Sequence, residues 1–76
     1  MLPPPNPKNK ITVIALYEGC MVIHYATLQA KQFIEKEAPK YGRLFVNDEG
    51  YSFNVYVNRC FDFNEVIKYF RSYNRS

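Results

Sequence analysis

Between Arg43 and Asn58, RLFVNDEGYSFNVYVN, two apolar-rich arms flank the polar group Asn47-Asp48-Glu49-Gly50, and the second arm alternates apolar and polar residues with a two-residue period. This is the pattern of a β-hairpin. Asp48-Glu49 suits a type I turn, and the glycine behind it can take the positive φ that closes a short bulged loop. In the second arm the period puts Tyr51, Phe53, Val55 and Val57 toward a core and Ser52, Asn54, Tyr56 and Asn58 toward solvent.

Upstream, Ile11 to Tyr17 is β-branched and apolar on both faces, which predicts a central strand. Cys20 to Thr27, CMVIHYAT, admits two readings. In one, Glu18-Gly19 is a second hairpin turn, residues 20–26 form a strand, and a helix starts at the N-cap Thr27. In the other the helix starts near Cys20, with Val22, Ala26, Ala30, Phe33 and Ile34 on its core face. The β propensity of Val22, Ile23 and Tyr25 favours the hairpin. Both readings agree that Leu28 to Ala38 is helical and stops at Pro39. A second helix is expected after Asp62, which stands three residues before Glu65 at capping-box spacing. Its apolar stripe is Phe63, Val66, Ile67 and Phe70, and it is expected to end near Tyr73 with residues 74–76 frayed.

These elements predict an α+β fold: a two-layer sandwich of one four-stranded antiparallel sheet with two helices on one face, in the order ββαββα. The rival order is βαββα with three strands. In the first order the halves echo one another, since Glu18-Gly19 and Glu49-Gly50 are 31 positions apart and the helix pairs Phe33-Ile34 and Val66-Ile67 are 33 apart. Either a duplicated ββα unit or chance produces such an echo.

Length bounds the domain count. Seventy-six residues hold one small domain, assigned to 11–76, behind a proline-rich arm, residues 1–10, with four of the five prolines. The arm reads as a loosely held terminus; Pro3-Pro4-Pro5 is short for a polyproline II ligand. The 47% hydrophobic and 17% aromatic content supports a packed core.

A net charge of +3 raises nucleic acid as a partner. Between Ile11 and Phe70, however, six bases stand against seven acids, leaving that body at −1. The basicity lies at the ends, in Lys8, Lys10, Arg71 and Arg75. A duplex binder carries a basic stripe across its folded surface, and no such stripe is written in this order of residues. Met1 to Pro5 lacks the basic and apolar regions of a signal peptide, and no apolar run reaches membrane-spanning length, so a cytoplasmic location with reduced Cys20 and Cys60 is expected.

Candidate chemistry is sparse. His24 is the single histidine, and with Cys20 and Cys60 it makes three potential zinc ligands at spacings unlike the close pairs of a structural site, so no metal and no cofactor is expected. The same residues make a poor Cys–His nucleophile pair. The carboxylates are absorbed by the turn, the cap and an outer helix face, and the chain carries none of the phosphate-loop, dinucleotide, serine-hydrolase or EF-hand motifs. The expectation is a non-enzyme.

What remains is surface. Asn54, Tyr56 and Asn58, flanked by Arg43 and Arg59, present rigid aromatic and adaptable amide groups on one sheet face. That chemistry suits protein–protein contact, including contact between copies of the chain. The alternative is RNA or single-stranded DNA, stacked on Tyr56 and held by Arg43 and Arg59 together with Lys8, Lys10, Lys68, Arg71 and Arg75. Gathering of these bases on one face would favour nucleic acid; scatter would favour protein.

Overall fold

The computed structural model describes residues 10–47 and 50–75; residues 1–9 of the expected arm, with Lys8, the turn pair Asp48-Glu49, and Ser76 lie outside them. The order is ββαββα. Strands β1 (Ile11–Tyr17) and β2 (Cys20–Tyr25) precede helix α1 (Leu28–Glu37) and its 3-10 extension Ala38–Lys40; β3 (Gly42–Val46) and β4 (Ser52–Val57) precede α2 (Phe63–Arg71) and its extension Ser72–Arg75. All pairings are antiparallel, in the spatial order β1-β2-β4-β3. The hairpin reading of residues 20–25 therefore holds, and the helix starts at Thr27, whose Oγ1 accepts the Ala30 N–H at 3.0 Å. Asp62 caps α2 in the same way, through Glu65 N–H at 3.2 Å, while the Glu65 side chain pairs with Lys68.

Both hairpins turn on a glycine with positive φ, 89° at Gly19 and 87° at Gly50, a conformation that side chains with a Cβ resist. Gly50 N–H donates to the Asn47 carbonyl and Asn47 N–H to Ser52, closing the second turn. Residues 20–25 and 52–57 play equivalent parts: Met21 and Ile23 in one, Phe53 and Val55 in the other, enter the core. The two ββα halves thus meet at β2 and β4, with β1 and β3 as the corresponding edges.

One face of the sheet supplies Ile11, Val13, Met21, Ile23, Phe53 and Val55 to the core. Both helices cover that face. From α1 and its extension come Ala30, Ile34 and Ala38; from α2 comes the whole expected stripe of Phe63, Val66, Ile67 and Phe70. The helices join through Phe33, whose ring lies 4.5 Å from that of Tyr73 and 5.8 Å from those of Tyr69 and Phe70.

Three expectations change. β1 is an edge strand, not a central one. Side chains take the place of a neighbouring strand along the first part of its outer edge: Asn74 bonds the Lys10 and Ile11 N–H groups and the Ile11 carbonyl, and Arg71 donates to the Val13 carbonyl at 3.0 Å. Asn74, expected to fray, is consequently anchored. Third, exposure departs from the expected pattern at the start of β4: Tyr51 stands outside the strand at 72% exposure, and Ser52, though on the face opposite the helices, is buried at 3%.

Candidate binding surface on the open face of the sheet

The face opposite the helices is defined by register. Across the sheet its rows read Thr12, His24, Ser52; then Ile14, Val22, Asn54, Phe45; then Tyr17, Cys20, Tyr56, Arg43. The register slip between Ala15 and Tyr17 is what turns Tyr17 onto this face beside Cys20. Its centre is tight, since Cys20 and Val22 are buried there, apart from the main core. Beside them Thr12 Oγ1 and His24 Nε2 are buried with no hydrogen-bond partner among the described residues.

Three of the five residues expected to bind a partner come together at the β3 side. Arg43, Tyr56 and Asn58 line a recess of about 380 Å³ with Pro39, Lys40, Tyr41, Gly42 and Phe61. Tyr56 is 41% exposed and is held by an edge-to-face contact with Phe45, ring centroids 5.5 Å apart. Tyr41 lines the recess and packs edge to face on Phe61 at 5.1 Å. Asn58 fixes the lip: its N–H donates to the Tyr41 carbonyl at 2.8 Å and its Oδ1 accepts the Cys60 N–H. The Tyr17 phenol on the same face is pushed up to about 12, first by its hydrogen bond with the Cys20 thiol, then by burial and by Tyr56, so it stays a neutral hydroxyl at physiological pH.

The other two stand apart. Asn54 is half-buried one row away and accepts from the Asn47 amide at 3.2 Å, which makes it part of the hairpin's own support. Arg59 is exposed in the connection to α2 and does not line the recess. Lys40, Tyr41, Phe45 and Phe61 were not singled out in the sequence. Tyr41 and Phe61 flank strands in the chain and converge only through the β3–β4 pairing, so no local spacing marks them.

Six of the bases among the described residues fall into two groups. Lys40 and Arg43 lie by the recess at the β3 edge. Lys68, Arg71 and Arg75 line a separate depression of about 450 Å³ on α2, the helix that packs on β1 at the opposite edge, and Lys10 lies 5.6 Å from the ring of Tyr73 on that side. Arg71 is partly engaged by the Val13 carbonyl and Lys68 by Glu65 at 3.5 Å.

Cys20 is buried on β2 and Cys60 exposed before α2, both as free thiols. His24 is four residues from Cys20 along the same strand, a separation of about 13 Å at strand rise. Among the described residues no three His, Cys, Asp or Glu side chains converge as a metal-binding group. No helix among them is long and apolar enough to cross a membrane.

The fold and surface define a small ββαββα domain with an open, aromatic sheet face. In comparisons with known families, curated proteins and solved structures, no match to this chain is found.

Proposed function

We propose that this chain is a small non-enzymatic binding module that acts by protein–protein contact through the Arg43–Tyr56–Asn58 recess. The observation that carries the reading is the make-up of that recess: an exposed tyrosine and an arginine held on strands, with a phenylalanine and an amide from the connection to α2, around a concave surface. Aromatic residues and arginine supply most strong contacts in protein interfaces, because they bury large areas at small entropic cost. The division of the bases between opposite edges weighs against nucleic acid, whose backbone rewards one continuous basic track. A cytosolic setting, where Cys20 and Cys60 stay reduced, fits the same reading.

The test is capture of partners from the native host with and without nuclease, using the parent and an Arg43→Ala/Tyr56→Ala variant shown by circular dichroism to be folded. A protein captured in both nuclease conditions by the parent and lost with the variant supports the proposal. Capture abolished by nuclease transfers the function to nucleic acid; capture by parent and variant alike moves the site off this recess.

A further inference from the structure

The two edges of the sheet are treated unequally, although they correspond in the two halves. In β1 the residues whose N–H and C=O point away from the sheet are the odd ones, because Ala26 N–H donates to the Lys10 carbonyl and fixes the parity. Among them Asn74 takes the Ile11 N–H and carbonyl, and Arg71 takes the Val13 carbonyl. In β3 the parity is set by two bonds to β4, from Asn58 N–H to the Tyr41 carbonyl and from Asn47 N–H to the Ser52 carbonyl. The odd residues therefore bond inward, and Gly42, Leu44 and Val46 present their backbone groups outward. No side chain among the described residues takes them. The edge also exposes an apolar residue on each face, Phe45 at 47% and Val46 at 73%, with Arg43 as the one charge of the strand. Natural edge strands of this kind are ordinarily protected by charge, proline or a covering segment.

We propose that β3 pairs antiparallel with β3 of a second copy, joining two four-stranded sheets into one of eight strands. The register is set by the strand's own sequence. Centred on Leu44, the pairing puts Leu44 opposite the second copy's Leu44 as a hydrogen-bonded pair, and the outward groups of Gly42 meet those of the second copy's Val46, twice by symmetry. Val46 then projects over a glycine, where no Cβ competes for space. On the open face Arg43 stands opposite the second copy's Phe45, a cation over an aromatic ring, and no like charges are opposed. A one-residue shift in register would turn the inward-bonding groups of one strand toward the outward groups of the other and lose the ladder. The dimer axis runs perpendicular to the sheet, so both helical layers stay on one side and both open faces on the other. This pairing uses the strand edge; with the partner recess it shares the lining residues Arg43 and Gly42, and Phe45, whose ring supports Tyr56.

Sedimentation velocity on the full chain tests it, between about 1 μM and about 1 mM, a range that spans micromolar to millimolar Kd. The expected mass rises from 9.0 kDa toward twice that value. Val46→Pro removes one outward N–H from an exposed position and leaves the β3–β4 ladder intact, so it should hold the chain monomeric with native circular dichroism. Phe45→Lys opposes the second copy's Arg43 with a like charge and should weaken dimerisation by about tenfold or more, whereas Phe45→Glu, which offers an ion pair there, should keep or tighten it. A parent that is monomeric throughout overturns the proposal, as does a dimer indifferent to both lysine and glutamate at position 45. Partner capture by the recess is read in a separate assay, so the two proposals fail separately.

Discussion

Asn74 treats Ile11 as a neighbouring strand would: its Oδ1 accepts the Ile11 N–H at 2.8 Å and its Nδ2 donates to the Ile11 carbonyl at 2.8 Å, across 63 residues of chain. Replacing it with alanine leaves part-buried backbone groups of an edge strand without partners. Asn74→Ala should destabilise by about 1–3 kcal/mol in urea unfolding, a large share of the roughly 4–11 kcal/mol expected for a chain of this length. Asn74→Asp keeps the acceptor and loses the donor, so it should fall between the two. Faster amide exchange at Ile11 in the alanine variant locates the loss at β1; parent-like stability in both variants would show that the C-terminal end anchors nothing.

Two glycines should respond differently to alanine. At Gly42 a Cβ would lie 2.0 Å from the Tyr56 carbonyl oxygen, backbone that cannot step aside, so Gly42→Ala should cost at least about 2 kcal/mol. At Gly50 nothing lies within 4 Å and only the positive φ resists, so Gly50→Ala should cost about 1–2 kcal/mol. Thermal unfolding of the pair checks the order, and a more stable Gly42→Ala variant would contradict the close approach of β3 to β4.

The caps make a third comparison. Thr27 and Asp62 each accept one helix N–H, at 3.0 and 3.2 Å. Thr27→Ala and Asp62→Ala should each lower stability by about 1 kcal/mol, with additive effects in the double variant because the two caps share no partner. Chemical denaturation of the four proteins reads both quantities.

The Tyr69 hydroxyl donates to Glu37 at 2.8 Å and, with help from Lys40 and against partial burial, holds that carboxyl below its ordinary value of 4.5. The folded carboxyl gives up its proton more readily than the unfolded one, so its contribution to stability is present above pH 4.5 and disappears as pH falls through the folded value. Tyr69 is pushed up to about 12 by the same bond, then by burial and by the Glu37 charge. Unfolded tyrosine ionises first, so stability also falls between pH 10 and about 12. In Tyr69→Phe the Glu37 carboxyl carbon should titrate closer to 4.5 by NMR and both losses should shrink. An unchanged Glu37 midpoint would remove Tyr69 as the cause.

Local pattern carried the architecture. The glycine turns, the N-cap at Thr27 and the four-residue stripe of α2 are each written within a few consecutive positions, and each is where the pattern places it. The edge position of β1 and the walls of the recess were missed for one physical reason. The apolar run Ile11–Tyr17 does not show that its outer edge is met by Arg71 and Asn74 instead of a strand, because those residues are distant in the chain. The recess likewise needs the β3–β4 register to bring Tyr41 and Phe61 beside Tyr56, so Arg43, Tyr56 and Asn58 were legible as neighbours on a hairpin while the walls around them were not.

Among the described residues the β2–β4 ladder is the one strand pairing that joins the two halves, from Cys20 opposite Tyr56 to His24 opposite Ser52. For the folding chain this divides the work by time. Each hairpin closes a short loop on the microsecond scale, and the docking of β2 on β4 must wait for the long loop between them. Until that seam closes, Met21, Ile23, Phe53 and Val55 are exposed together on two unfinished sheets, which makes the central strands the part of the molecule most open to misassembly during folding.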